Sequence, residues 1–493
     1  LTNGLKQDTF FSYAKISCNR FFDYENGEAD MRLDALFLKT IVPSACVLQG
    51  DCTQELTFAV DTRSLKVGQL FFALQGVRVD GHVFLEEALK NASGVVIAAD
   101  KKHLLPSAMA VDKIVITVLD PLQALLALAA AWRAHFSYPV AAITGSIGKT
   151  STKEITAHML SCAGKKYLVS RGNLNTVLGV ALTISHMNDS YDGALFEVGI
   201  SKKGEMDTII QMLNPTTGVI TCIAHSHLEG LGSLADIATE KRALFKKFNS
   251  ENIGIVAGDF PSLSTVSYSH PVIRFGFKTT NQVQARKLVE KEGTLLFVLK
   301  LYEHKYSIVL TQTHRGLVNN ILASATLAHH LGASDEAILR GIKTLPGCAQ
   351  RYEVCRLRDF KGFLIDDCYN ASPESMKAAL LAFESEKGSG KKIAVLGDML
   401  ELGENSSFWH RQIGRFLRRV PTLKHLILVG DQVKWIEKTA PHGITIEKVA
   451  SWQDAVSKLS DTLEDHVVVL VKGSRGMQLQ NVVAKFVDKQ VCV

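Results

Sequence analysis

Short apolar runs along this chain alternate with stretches whose apolar positions recur every three or four residues, the alternation expected of strands and helices in turn. Strands are predicted at 56–60, 70–74, 94–98 and 113–118, followed by an Ala/Leu-rich helix over 121–136. A second series is predicted at 140–143, 167–170, 194–200, 218–223, 253–257 and 272–277. Helical spacing between most of these strands calls for right-handed crossovers and a largely parallel sheet. Runs at 295–301 and 306–312, joined by Tyr302-Glu-His-Lys305, read as a hairpin, and helices follow at 317–331 and 335–342. A third series lies at 352–357, 362–365, 393–396, 426–429 and 467–471.

Breaks at Ser137-Tyr-Pro139 and Leu345-Pro-Gly347 divide the chain into 32–137, 138–344 and 345–493. Residues 1–31, polar and weakly periodic, read as an N-terminal extension. The fold class predicted is α/β in three domains. A central, mostly parallel sheet of the phosphate-loop type is flanked by an N-terminal α/β domain and a C-terminal Rossmann-like domain.

The strongest chemical signal is Pro139-Val-Ala-Ala-Ile-Thr-Gly-Ser-Ile-Gly-Lys-Thr-Ser-Thr152, a buried strand, a glycine-framed turn and a helix start. Over Gly145, Ser146, Ile147, Gly148, Lys149, Thr150 and Ser151, backbone N–H groups can face an anion. Lys149 adds a cation, and Thr150 puts a hydroxyl where a phosphate-bound Mg2+ would sit. The spacing is the shorter Gly-x-x-Gly-Lys-Thr, with Ile143 where the longer loop has glycine. A nucleoside triphosphate is the expected ligand; the plainer alternative is a glycine turn capping a helix.

Ligands of open α/β sheets lie at the carboxyl ends of strands. Glu197 ends one apolar strand and reads as a Mg2+ ligand or as half of a buried salt bridge. Beyond the next lies Ala224-His-Ser-His227-Leu-Glu229-Gly-Leu-Gly-Ser233, whose histidines read as structural groups or as ligands. Asn173 and Asn175 stand in a glycine-containing loop, suited to phosphate or amide contacts or to a plain turn. Lys241, in a helix predicted over 234–248, reads by itself as a surface lysine. In the third segment Asp366-Asp367-Cys-Tyr369-Asn370, Gly397-Asp398-Met-Leu-Glu401-Leu-Gly403 and Lys472-Gly-Ser474-Arg475 each follow a strand and together suggest a substrate face. Arg415-Phe-Leu-Arg-Arg419 reads as a solvated helix face.

The composition narrows the class. Hydrophobic residues make up 46% and charged residues 21%, and the net charge of +6 is spread along the chain, which argues against a nucleic-acid tail. Nine cysteines without CxxC spacing argue for reduced thiols in a cytosolic compartment. The Ala-rich stretch near 122–132 is too short to span a bilayer. A soluble, cytoplasmic monomer without a membrane span is expected.

The ordered set Thr-Gly-Ser-Ile-Gly-Lys-Thr-Ser, Gly-Asn-Leu-Asn, Glu-Val-Gly, His-Leu-Glu-Gly-Leu-Gly-Ser, Asp-Asp-Cys-Tyr-Asn-Ala, Gly-Asp-Met-Leu-Glu-Leu-Gly and Lys-Gly-Ser-Arg resembles the Mur ligases over about residues 33–490. Within that family it is most similar to the enzyme adding D-alanyl-D-alanine to UDP-N-acetylmuramoyl-tripeptide. The resemblance implies an ATP-dependent amide ligase of cytoplasmic peptidoglycan precursor synthesis, acting through an acyl phosphate. It implies ATP contacts at the 145–151 loop, Asn320 (adenine), Arg351 and Asp366. It implies two Mg2+ ions, held through Thr150, Glu197, His227 and a carbamylated Lys241, which reverses the surface reading of that lysine. Lys149, Glu197, His227 and Lys241 would be the catalytic set. Substrate contacts would include Thr62 and Arg78 near the uridine, and Asn173, Asn175, Asp367, Tyr369, Asn370, Lys472, Ser474 and Arg475. The 32–137 segment would then be the UDP-substrate domain.

The chain departs from the family pattern at Gly316 and Leu317, where His-Asn is usual and His314 stands upstream, at Ser372 for a second Asn, and at Ala243 for an acidic residue. These touch the adenine, dipeptide and metal contacts. Two rivals remain open from sequence: a folylpolyglutamate-synthetase-like sister ligase, and a nucleotide-switch protein without ligase activity.

Overall fold

The computed structural model describes residues 31, 35–51, 56–76, 79–107, 110, 112–291, 294–311, 315–347, 349–386 and 390–488. Arg78, His314, Cys18, Cys52, Cys348, Cys492 and residues 1–30 lie outside them. Its contacts gather into two compact units, one of residues 1–140, 166–196 and 207–215, the other of 141–165, 197–206 and 216–493.

The first unit contains a sheet in the order Cys46–Gln49, Ile114–Val118, Gly94–Ala98, Gln69–Phe72, Thr57–Ala59, parallel except for its first edge strand. Gly94–Ala98 and Ile114–Val118 are apolar runs buried almost throughout, as central parallel strands must be. The helix Pro121–Arg133 starts at Asp120, whose carboxylate accepts from Leu122 N (2.8 Å) and Gln123 N (3.1 Å), and proline at the first position wastes no donor. Its last turn is tied down by Trp132 Nε1 donating to Met187 O (3.1 Å) and Arg133 Nε to Leu213 O (2.9 Å). This unit also holds Tyr167–Val169 paired in parallel with the strand Gly193–Glu197, whose last residue, Glu197, belongs to the second unit, and the helix Val177–Ile184 capped by Thr176.

The second unit contains two sheets. One runs His304–Leu310, Thr294–Leu301, Val283–Lys291, Val272–Gly276, Ile253–Ala257, Thr217–Ile220, Val140–Thr144. It is parallel from Val140–Thr144 to Val283–Lys291 and antiparallel beyond. The helices Lys149–Cys162 and Arg315–His330 pack together, with Ser324 Oγ donating to Thr152 O (3.0 Å). The other sheet runs Glu353–Arg356, Phe363–Asp366, Val468–Lys472, Lys392–Gly397, Leu423–Val429, Thr445–Val449, parallel apart from its first strand. Apolar clusters cover both of its faces, one around Met376, Phe383 and Ile413 and the other around Ala455, Leu459 and Val482, the layering of a doubly wound domain.

Three strands were not anticipated. Val283–Lys291 carries a register shift between Arg286 and Val289, with Lys287 in the left-handed region (φ 52), so its alternation is broken by a bulge. Cys46–Gln49 and Thr445–Val449 are edge strands of mixed polarity. The helix predicted over 234–248 ends at Arg242 and tightens into the 3-10 turn Ala243–Phe245. Arg415, Arg418 and Arg419 are exposed as expected. Among the described residues, no helix is long and apolar enough to cross a membrane.

Candidate active site

The wholly buried strand Val140–Thr144 delivers the chain to Gly145 (φ 150), and Gly148 (φ 86) opens the helix Lys149–Cys162. A Cβ on Gly145 would overlap the Thr221 hydroxyl, and one on Gly148 the Asn320 amide oxygen, so close approach and backbone conformation both require glycine. The loop is splinted by the chain leaving strand Thr217–Ile220. Ser146 N donates to Cys222 O (3.1 Å), Ile147 N to Cys222 Sγ (3.3 Å), Thr221 Oγ1 to Ile147 O (2.6 Å), and Ser146 Oγ to Ala224 O (2.9 Å). The amides of Ser146 and Ile147 are therefore engaged with protein. The anion-facing donors that remain are those of the helix's first turn.

Lys149 donates to Gly145 O (3.0 Å). Burial lowers its pKa, Glu197 and Cys222 pull it up, and Arg351 pushes it down. Glu197, 1% exposed at the end of strand Gly193–Glu197, is thus near enough for its charge to act on this amine.

Lys241 is also 1% exposed. Its helix Leu234–Arg242 is set by a capping box, in which Ser233 Oγ accepts from Asp236 N and the Asp236 carboxylate from Ser233 N. Burial, then the charge of Lys149, push the Lys241 amine down to about 7. The reading of a surface lysine is overturned. A signal was present: Ile237, Ala238, Lys241, Leu244 and Phe245 fall at helical spacing and all are buried, so the lysine interrupts an apolar stripe.

The third sheet brings further groups to the loop. Arg351 Nη2 donates to Thr150 Oγ1 (3.0 Å), and its guanidinium lies 3.9 Å from the centre of the Tyr369 ring, with Arg475 5.3 Å from the same ring. Gln350 and Tyr352, on either side of Arg351, are both left-handed (φ 60 and 58). Asp366 is buried, which raises its carboxyl pKa, and it accepts from Cys368 N (3.1 Å) and Sγ (2.6 Å). Lys472, 2% exposed, pairs with Asp367 (2.7 Å) and donates to Asn370 O (3.1 Å). Ser474 Oγ accepts from Leu400 N (2.9 Å). Lys472, Asp367 and Ser474 thus bind neighbouring loops to one another.

Two carboxylates unassigned by sequence reach the histidine segment. Glu374 accepts from His225 N (3.2 Å) and contacts His225 Nδ1 (2.5 Å), while Glu401 pairs with His227 Nδ1. The His227 ring against it holds the Glu401 carboxyl below its ordinary pKa against the effect of burial. Asn320 lies against Gly148, and Asn319 Nδ2 donates to Thr221 O (3.2 Å). Among the described residues, no three His, Cys, Asp or Glu side chains gather into a metal site, so an ion at Glu197 or His227 would need donors of another kind.

In the first unit, Thr62 opens a 3-10 turn capped by Asp61, which also pairs with Arg63 (2.5 Å). Asn175 N donates to Asn173 O (2.8 Å) just before the helix Val177–Ile184. Among the described residues, Cys46, Cys162, Cys222, Cys355 and Cys368 are free thiols.

Three family models match in order along the chain: Mur ligase family, catalytic domain, at 58–133; Mur ligase middle domain at 143–328; and Mur ligase, glutamate ligase domain, at 350–475. The chain is 33% identical over 439 residues to the UDP-N-acetylmuramoyl-tripeptide–D-alanyl-D-alanine ligase of Bacillus subtilis, covering 87% of this chain and 93% of that one. It is 31% identical over 453 residues to the Escherichia coli enzyme of the same name, covering 90% and 96%. Among solved structures it is similar to MurF from Acinetobacter baumannii, with a TM-score of 0.81 and 25% identity over 93% of this chain and 99% of that one. It is also similar to MurF from Thermotoga maritima in complex with ADP, with a TM-score of 0.74 and 25% identity over 87% and 96%. With the three models in register along its length and full-length relatives at this identity, the chain belongs to the Mur ligase family.

Proposed function

We propose that this chain joins D-alanyl-D-alanine to UDP-N-acetylmuramoyl-tripeptide while ATP is cleaved to ADP and phosphate. What carries this is a shortened phosphate loop with Lys149 half-buried in it and Glu197 and Lys241 buried, in a chain 33% identical to an enzyme of that name. The triphosphate lies against the first turn of helix Lys149–Cys162, where free amides, the helix dipole and Lys149 favour negative charge. The terminal carboxylate of the tripeptide attacks the γ-phosphorus and ADP leaves, giving an acyl phosphate. The dipeptide's amine, having lost its proton, attacks the acyl carbon, and phosphate leaves. Positioning and charge stabilisation do most of this work, and Lys149 with Arg351 supplies fixed positive charge at the loop.

The family resemblance implies bound metals and a modified lysine, and a carbamate on the buried Lys241 would be the donor of another kind that the metals need. Thr150 and Glu197 would hold one Mg2+ and His227 with Lys241 a second, neutralising the phosphates and the attacking carboxylate when bound. Lys241 suits carbamylation because an amine pushed down to about 7 is largely uncharged under mildly alkaline conditions and can add to CO2 with loss of a proton. The carbamate would also replace repulsion between Lys149 and Lys241 by attraction. Residues 32–137 would hold the UDP end, with Thr62 near the uridine. The remaining domains would be 138–344 for ATP and 345–493 for ligation, in a cytoplasmic monomer.

Phosphate release measured with each peptide substrate omitted in turn tests the reaction. Release that is undiminished without D-alanyl-D-alanine overturns it. With 13C-bicarbonate, a carbamate resonance present in the unmodified chain and absent from Lys241→Ala is the expected NMR result.

A further inference from the structure

The segment Gly397-Asp-Met-Leu-Glu-Leu-Gly403 has no task in the reaction as described, yet its backbone is pinned at almost every residue. Asp398 O accepts from Ser474 N (3.1 Å), and the Asp398 carboxylate accepts from Asp431 N (3.0 Å) and Val433 N (2.8 Å). Met399 N donates to Nε2 of the fully buried His410, whose Nδ1 donates to Ser406 O (3.1 and 2.7 Å). Leu400 N donates to Ser474 Oγ (2.9 Å). Glu401 and Gly403 then both turn left-handed (φ 61 and 57). A non-glycine residue in that region is held there by its surroundings at some cost.

All of this holds up one side chain. The Glu401 carboxylate meets His227 Nδ1, and Glu401 O accepts from Glu229 N (3.2 Å). His227 is left-handed as well (φ 55). Two strained residues from different sheets thus face each other through a carboxylate and an imidazole. A second carboxylate, Glu374, grips His225 two residues away, and the His225 ring packs 4.3 Å from that of Trp409. Glu374 fixes the histidine segment; Glu401 acts on the His227 ring itself.

We propose that Glu401 is a positioning residue for His227. Its carboxylate accepts the Nδ1 proton, which fixes the tautomer and turns the Nε2 lone pair toward the metal that His227 would share with carbamylated Lys241. A carboxylate behind a ligating imidazole both orients the ring and raises its basicity. Because Glu401 comes from the third sheet, the nucleotide half of the site is completed only by a group from the ligation half. This rests on the two-metal reading above, and the test separates the two.

The experiment is a Mn2+ titration of the full chain, supplied with bicarbonate and a non-hydrolysable ATP analogue, with free Mn2+ followed by electron paramagnetic resonance. The unmodified chain is expected to bind two ions and His227→Ala one. Glu401→Ala should keep the tighter site and weaken the other by about ten- to hundredfold, the usual cost of losing such a partner. Glu401→Gln, which still offers an acceptor oxygen, should fall between the two. Glu374→Ala should leave both affinities near those of the unmodified chain. If His227→Ala loses an ion but Glu401→Ala binds both normally, the positioning role is overturned and the metal reading stands. If Glu374→Ala weakens the second site as much as Glu401→Ala does, the effect is one of docking and the role is again overturned. If His227→Ala still binds two ions, the metal reading fails and takes the proposal with it.

Discussion

Arg351 Nη2 donates to Thr150 Oγ1 at 3.0 Å while its guanidinium lies against the Tyr369 ring at 3.9 Å. One arginine is thereby fixed by a hydroxyl of the phosphate loop and by an aromatic of the Asp366–Asn370 segment. A planar guanidinium can do both at once and an ammonium cannot. Arg351→Lys is expected to lower kcat/KM for ATP by about ten- to a hundredfold, the loss of one hydrogen bond to a charged group. Tyr369→Leu, removing only the stack, should cost less, about 0.5–2 kcal/mol of the same quantity. Steady-state kinetics with ATP varied and both peptide substrates saturating separates the two.

The glycines of the loop are required for a different reason. At Gly148 the backbone is left-handed and the space a Cβ would fill is taken by the Asn320 amide. Gly148→Ala should therefore pay about 1 kcal/mol or more in backbone strain and displace Asn320 as well. Gly164→Ala, at another left-handed glycine but with open space around it, carries the strain alone. Equilibrium binding of a fluorescent ATP analogue should collapse in the first variant and persist in the second.

The strands and the loop could be read from sequence because their burial is written in local pattern. Gly94–Ala98 and Ile253–Ala257 are unbroken apolar runs, and they were placed to the residue. Val283–Lys291 was missed because its bulge at Lys287 shifts the alternation by one partway along. The site was legible where a motif is contiguous, as over 145–151, and illegible where it is assembled from distant elements. Glu401 and Glu374 acquire their meaning only when the third sheet brings them to His227 and His225. Lys241 lies between: its helical spacing marks it as buried, but nothing local says that Lys149 is its neighbour.

Lys472 was read as a substrate contact, and the structure pairs it with Asp367 at 2.7 Å with almost no exposure. If the pair holds the loops together, Lys472→Met strands a poorly solvated carboxylate and should lower stability by about 3–5 kcal/mol. Adding Asp367→Asn to Lys472→Met should recover part of that loss. Urea unfolding of the single and double variants reads the coupling. A single variant as stable as the unmodified chain would show that Lys472 is held for substrate alone.

His410 predicts an acid limb of stability. Burial lowers its pKa from the ordinary value of 6.5, and its two ring nitrogens are committed, one donating and one accepting, which only the neutral ring can do. Because the folded pKa lies below the unfolded one, the unfolded chain binds more protons across the interval between them. Stability is therefore complete above 6.5 and falls as the pH drops through that value toward the folded pKa. His410→Gln keeps an acceptor for Met399 N and a donor for Ser406 O but does not titrate. Its melting temperature should sit below that of the unmodified chain at neutral pH and decline less steeply under acid, so that the two curves converge. Parallel curves would mean that His410 does not titrate on unfolding.

Lys241 carries the sharpest prediction about chemistry. If its role is to become an anion, removing the side chain removes a carboxylate-like group, and a small carboxylic acid diffusing into the space should replace it in part. Lys241→Ala is expected to lose nearly all ligase activity, and acetate or formate to restore a fraction that saturates with concentration. Lys241→Arg, which keeps the positive charge but cannot form a carbamate by the same addition to CO2, should stay inactive and resist rescue, because its guanidinium occupies the space and is always charged. Rescue is the informative arm. A lysine needed only as a buried cation would respond to small amines and not to acids, whereas a carbamylated lysine responds to acids and not to amines.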